Sequence, residues 1–261
     1  MLKALGETIG TAGSDEFYAA MARYLRHCMD FDNIIVILYN GAERPVVAYS
    51  WIRGPDVFSY LERDYLPAAY LLDPVYHFHL NQRRPGIYRL LDIAPDNFRR
   101  SRYFKWYYGR IGIIDEISVL LPVEDNTTIT ISMGRDGSSG QHFSARDEEG
   151  LRAHEPVIMP LLKKHWQAQE QPERQRLDSA SIVDSLIAAM RTHKDVTLTR
   201  RQAEVALLIL QGHSSPSIGL HLGISTQTVK VFRKQLYRKC YISSQAELFS
   251  LMMPMLERPR G

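Results

Sequence analysis

The residues whose types and spacing could do chemistry lie near the C-terminal end of the chain. Lys230, Lys234 and Arg238 recur every four residues, a spacing that puts them on one face of a helix, with Arg233 at its edge. Val229, Phe232, Leu236 and Cys240 recur at spacings of 3, 4 and 4 and make a second, apolar face. No Asp or Glu stands between Ser225 and Ala246, so the cations have no acidic neighbour along the chain. Such cations suit phosphates. Thr226, Gln227 and Thr228 at the head of the helix are short polar side chains of the kind a recognition helix offers to base edges. A solvated basic face is the blander reading, and for a lone cationic helix it is the commoner one.

Neighbouring signals decide between them. Residues 196–261 contain four helix starts. Thr199 and Gln202 form a capping box ahead of the buried stripe Val205, Leu208 and Ile209, and Gly212 ends that helix. Ser215-Pro216 opens the next, with the serine as cap and Ile218 and Leu222 facing inward. Gly223 permits a tight turn, and Ser225 caps the cationic helix. Ser244 and Glu247 form a second capping box and open the last helix. There Leu248 should face the domain core, while Phe249, Met252 and Met253, at i, i+3 and i+4, leave an apolar face. A lone small domain need not bury it, and a second copy could cover it.

Charge separates the chain in the same place. Residues 196–261 carry nine Lys or Arg against three acids, a net +6, within a chain whose total is +3. A basic tail on a slightly acidic body points to a polyanionic partner. The 261 residues allow one large or two ordinary domains, and 45% apolar with 23% charged residues excludes disorder as a description of the whole. No apolar run approaches the roughly 18 residues of a membrane span, and the N-terminus lacks a signal core. Cys28 and Cys240 make neither a disulfide framework nor a zinc site. A cytoplasmic protein with no membrane partner and no cofactor is expected.

The body reads as a mixed domain. Helix patterns cover 14–29, 56–66, 95–108 and about 144–168, where Pro156 and Pro160 should kink or divide the helix. Asp73-Pro74 opens another helix to about Asn81. Strand patterns cover 33–39, 45–51, 86–93, 113–122 and 127–133. Helices packed on an antiparallel sheet give an α+β fold, an α/β/α sandwich, over residues 1–168. The polar stretch QEQPERQRLD begins a linker over 169–195 that holds a short helix at 179–192. An all-α four-helix domain with a helix-turn-helix follows over 196–261. His77-x-His79 places two imidazoles nearly opposite each other on a helix, poor geometry for a metal. Asp115-Glu116 at a strand edge reads as a hydrated pair or a paired-carboxylate site. The aromatic run Tyr103 to Tyr108 could line a pocket or build core and dimer interface.

Residues 198–248, without a gap, resemble the output domain of LuxR-type transcription regulators. Leu198, Thr199, Arg201, Glu204, Val205, Gly212, Ile218, Leu222, Gly223, Ile224, Ser225, Thr228, Val229, Lys230, Arg238, Lys239, Ala246, Glu247 and Leu248 carry the resemblance. Gln202, Pro216, Gly219, Phe232 and Cys240-Tyr241 depart from it. The resemblance implies double-stranded DNA as partner, a homodimer, a small-molecule effector sensed by the body, and RNA polymerase as an open further partner. The body resembles the autoinducer-domain-like or GAF-like sensors of the same regulators. In the acyl-homoserine-lactone receptors a Trp and a Tyr precede an Asp-Pro, and a second Trp follows. Here Asp73-Pro74 matches the Asp-Pro, Tyr60 stands at the first Trp position, and Tyr88 at the later one. Asp64 stands at the Tyr position with Tyr65 beside it, and a family glycine is replaced near Asp115-Glu116. By resemblance Tyr60, Tyr65, Asp73 and Tyr88 would bind the effector. In physical terms Asp73 either accepts a hydrogen bond from a mostly apolar ligand or merely caps its helix.

Three functions follow: a ligand-sensing DNA-binding regulator; a regulator whose body only dimerises or docks a protein; and an enzyme with a DNA-targeting tail. No nucleophile elbow, P-loop, dinucleotide fingerprint or Cys/His metal set is present in the sequence. The chain is expected not to be an enzyme.

Overall fold

The computed structural model describes residues 1–54, 56–81, 84–124, 126–169 and 182–257. They fall into two compact units, and each is interleaved along the chain. The first holds residues 1–57, 78–92 and 112–169; the second holds 58–77, 93–111 and 182–257. Two stretches from the middle of the body therefore group with the C-terminal helices. The expected linker residues 170–181, Asp125 of the strand turn, and Arg258 and Arg260 of the basic tail lie outside the described residues.

The first unit is built on a five-stranded antiparallel sheet. Its strands are β1 (Asn33–Asn40), β2 (Val46–Ile52), β3 (Gly86–Arg89), β4 (Asp115–Glu124) and β5 (Thr127–Arg135), in the order β2-β1-β5-β4-β3. Alternation gives the sheet two unlike faces. Ile34, Val36, Ile117, Val119, Ile129, Ile131 and Met133 point one way and share a core with helices α1 (Leu2–Gly10), α2 (Phe17–Cys28), α7 (Ala145–Ala153) and α8 (Glu155–Ala168). On the other face Ser50, Ile35, Ser132, Ser118 and Tyr88 form a row across all five strands. The Ser118 and Ser132 hydroxyls lie 2.8 Å apart, and Ser118 donates to buried Glu116 at 3.2 Å. Asp115 is buried too, bonded to Arg89 and to the Phe143 amide, so the Asp115-Glu116 pair is a packed one rather than a hydrated one.

Several elements differ from the sequence expectation. α1 carries no side-chain cap, and its start went unread. The 86–93 strand ends at Arg89, and α4 (Leu90–Ile93) follows. Residues 56–66 condense to one π-helical turn, Leu61–Tyr65. The 95–108 helix is broken into a 3-10 turn (Phe98–Arg100), α5 (Arg102–Trp106) and α6 (Tyr108–Ile111). Its cause is Ser101, an extended residue whose side chain accepts from the Phe104 amide and so restarts the helix. The long 144–168 helix divides at His154, just before Pro156; Pro160 sits inside α8.

The second unit holds α9 (Ile182–Lys194), α10 (Arg200–Gln211), α11 (Ser215–Leu222), α12 (Thr226–Lys239) and α13 (Gln245–Leu256). Helix α3 (Pro74–Asn81) starts in this unit and ends in the first. Both expected capping boxes form, Thr199 with Gln202 and Ser244 with Glu247. Gly212 and Gly223 end α10 and α11 in the left-handed region, at φ of 102° and 64°. Ser214, not Ser215, caps α11, because its oxygen accepts from the Ser217 amide and Pro216 then falls inside the first turn. Gly219 is explained by packing, since a Cβ there would sit 2.8 Å from the Ile224 carbonyl oxygen.

Candidate DNA interface and effector site

Both candidate sites lie in the second unit, and α12 supplies the first. Ser225 caps it by accepting from the Thr228 amide at 3.0 Å, and the two hydroxyls meet at 2.8 Å. Val229 and Leu236 are buried, and Phe232 is half-buried, which fixes the rotation of the helix. That rotation leaves Gln227, Lys230, Lys234 and Arg238 exposed, with Thr226, Thr228 and Arg233 half-buried. Among the described residues none of Lys230, Lys234 and Arg238 has an ion-pair partner. Arg200 and Arg201, by contrast, both pair with Glu204. Arg233 lies over the Tyr237 ring, 5.1 Å from its centroid. The chain leaves α12 through Tyr241, which holds a left-handed φ of 55° with 94% of its surface exposed. Here a residue with a Cβ occupies a conformation glycine adopts freely.

Phe249, Met252 and Met253 stand elsewhere than expected. All three are buried, Met252 completely. Trp106 of α5 meets Phe249 at 5.5 Å, and α9 and α10 also pack on α13. The apolar stripe is thus covered within one chain. The partners that cover it, α5 and α9, lie outside residues 196–261.

The second site centres on Asp73, whose carboxylate is enclosed. One oxygen accepts from the Val75 amide at 2.8 Å, the bond of a helix cap. The other accepts from the Tyr103 and Tyr108 hydroxyls at 3.3 and 3.2 Å, and Tyr65 also bonds to the carboxylate. Asp73 therefore caps α3, and its second oxygen is taken up by tyrosine hydroxyls. Burial pushes its pKa up to about 6, against the opposing pull of those hydrogen bonds. Tyr103 and Tyr108 reach one carboxylate from α5 and α6, which meet at Tyr107. Regular helical periodicity would not have paired them.

The remaining expected ligand residues scatter. Tyr60 is half-buried, with the Arg110 guanidinium 4.0 Å from its ring centroid. Tyr88 lies on β3 of the first unit, against Phe78 at 4.6 Å. His77 bonds to the Leu71 carbonyl oxygen and His79 to Thr128 and the Gly41 carbonyl oxygen. Burial pushes His77 down to about 4.

Residues 196–252 match the family described as bacterial regulatory proteins, luxR family. The chain is 35% identical over 173 residues to an HTH-type transcriptional regulator in the exeN 3′ region of Aeromonas salmonicida, covering 64% of this chain and 86% of that one. Among solved structures it resembles the VqsR LBD domain of Pseudomonas aeruginosa, with TM-score 0.55 and 23% identity. That match covers 64% of this chain and 96% of the other. SdiA of Escherichia coli aligns over 95% of this chain and 94% of its own, with TM-score 0.40 and 15% identity. The match to the Aeromonas relative and the α10–α13 motif agree: the chain belongs to the LuxR family of helix-turn-helix transcriptional regulators.

Proposed function

We propose that the chain regulates transcription by reading operator DNA through α12 and by responding to a small molecule held near Asp73. The exposed row Lys230, Lys234 and Arg238 carries the DNA part: three cations, unpaired among the described residues, on a helix whose head offers Gln227 between two threonines. The cations would meet phosphates, and Gln227 with Thr226 would meet base edges. Two copies would act on an inverted repeat, in the cytoplasm, paired through a surface other than the covered side of α13. Selection of bound duplexes from a random-sequence pool should enrich one family of sequences. Gln227→Ala should change the preferred base, and Lys234→Ala should lower affinity for all sequences alike. A pool that stays random after selection would overturn the reading.

At Asp73 a ligand that donates a hydrogen bond would displace a tyrosine hydroxyl from the carboxylate. One observation favours a second reading, in which the body holds no ligand: the carboxylate is already engaged by Val75, Tyr103, Tyr108 and Tyr65. Asp73→Asn separates the two, because Asn retains the cap and loses the charge. The first reading expects a screened ligand to raise the melting temperature of the wild type, with affinity about tenfold or more weaker in Asp73→Asn. The second expects no ligand to shift either protein.

A further inference from the structure

We propose a second effector site in the same unit, a cleft between Arg100 and Arg233 that binds the phosphate of a small hydrophilic phosphomonoester. The cleft has a volume of about 290 Å³ and lies where the Asn97–Ser101 turn meets α10, α11 and α12. That is near the lower edge of small-ligand sites, roughly 300 Å³. Two arginines from segments far apart in sequence line it, and no Asp or Glu does. Among the described residues neither Arg100 nor Arg233 has an acidic partner. Asp96, the acid of that turn, is outside the lining and accepts from the Ser214 amide at 3.0 Å.

Two arginines on one cleft with no acid in its lining give it a positive potential that favours an anion, and the planar guanidinium fork fits phosphate oxygens in pairs. Helix α11 begins at the cleft, so the positive end of its dipole adds to the same field. His213 in the wall is pushed down to about 4 by burial and is neutral at pH 7, so the charge comes from the two arginines. Asn97, Ser215 and Gln245 offer hydrogen bonds around the rim, with Ile209 and Ile218 as the apolar part. The space exceeds one phosphate group and suits a polyol or sugar attached to it. Asn97 already donates from its amide to the Gly212 carbonyl oxygen at 3.0 Å. A bound phosphate would add a further link between the turn and the helix-turn-helix, beside this bond and the one from Ser214 to Asp96.

Because Arg233 is on α12, a backbone phosphate of DNA could supply the same chemistry, and the test distinguishes the two sources. Inorganic phosphate is titrated into the full chain by calorimetry, with chloride holding ionic strength constant. Saturable binding is expected. Arg100→Gln and Arg233→Gln should each weaken it about tenfold or more, while Arg99→Gln, next door but outside the cleft, should not change it. In phosphate-free buffer Arg100→Gln should bind a random-sequence duplex as the wild type does. No saturable phosphate binding, or binding indifferent to both cleft variants, would overturn the proposal. So would a loss of duplex affinity in Arg100→Gln equal to its loss of phosphate, because the cleft would then belong to DNA.

Discussion

The α12 face and the Asp73 nest are built on opposite terms within one compact unit. Lys230, Lys234 and Arg238 are exposed and have no ion-pair partner among the described residues, whereas Asp73 is buried with four hydrogen-bond donors around it. An open, unpaired charge is ready for a partner that brings the opposite sign, and little has to be undone when it arrives. A closed carboxylate can accept a partner only by exchange. Any ligand there would have to replace a tyrosine hydroxyl with something at least as good. The same contrast applies to α13, whose apolar stripe is closed by Trp106 and α9 although its sequence suggested an open one.

The largest expected effect tests that closure. Met252→Asp would bury a carboxylate where the side chain has no exposed surface, and it should destabilise the chain by about 4 kcal/mol or more. The denaturant midpoint of the full chain measures it. A loss below about 1 kcal/mol would mean that the stripe is open and available to a second copy, as the helix read alone suggests.

A smaller effect sharpens the account of the nest. Asp73 titrates at about 6, raised by burial above the ordinary carboxylate value. A raised carboxylate favours the fold when protonated. Its contribution is therefore complete below about 4, the unfolded value, and is lost as pH rises through 6. His77, His165 and His213, each pushed down to about 4 by desolvation, act in the other direction, losing stability as pH falls from 6.5 toward 4. Comparison with Asp73→Asn removes that background. The stability of the wild type relative to the variant should be about 2 kcal/mol more favourable at pH ~4.5 than at pH ~7.5. Equal pH dependence in the two proteins would mean that the carboxylate is hydrated rather than enclosed.

The two sites also differ in how far they could be read from sequence. Every feature that builds the α12 face is local: the Ser225 cap, the 3-4-4 apolar spacing, the 4-4 cationic spacing and the absence of acids. Local periodicity fixes which side of a helix is buried, so the face follows directly. The nest is not local. Asp73-Pro74 marks a cap correctly, but Tyr103 and Tyr108 stand 30 and 35 residues away, on two short helices that meet at Tyr107 and that the sequence pattern merges into one. The sheet was legible for the same reason as α12, because TTITISM alternates with period two. The covering of α13 by α5 was not, since Trp106 lies 143 residues upstream of Phe249 and leaves no trace in the helix it covers.

The claim that α12 is an open phosphate-facing surface is tested most directly by the salt dependence of duplex binding. Affinity of the full chain is measured over a series of salt concentrations, then again for Lys230→Ala and Lys234→Ala. The account predicts weaker binding in each variant and a slope of log affinity against log salt reduced by about one. Wild-type affinity and wild-type slope in both variants would contradict it.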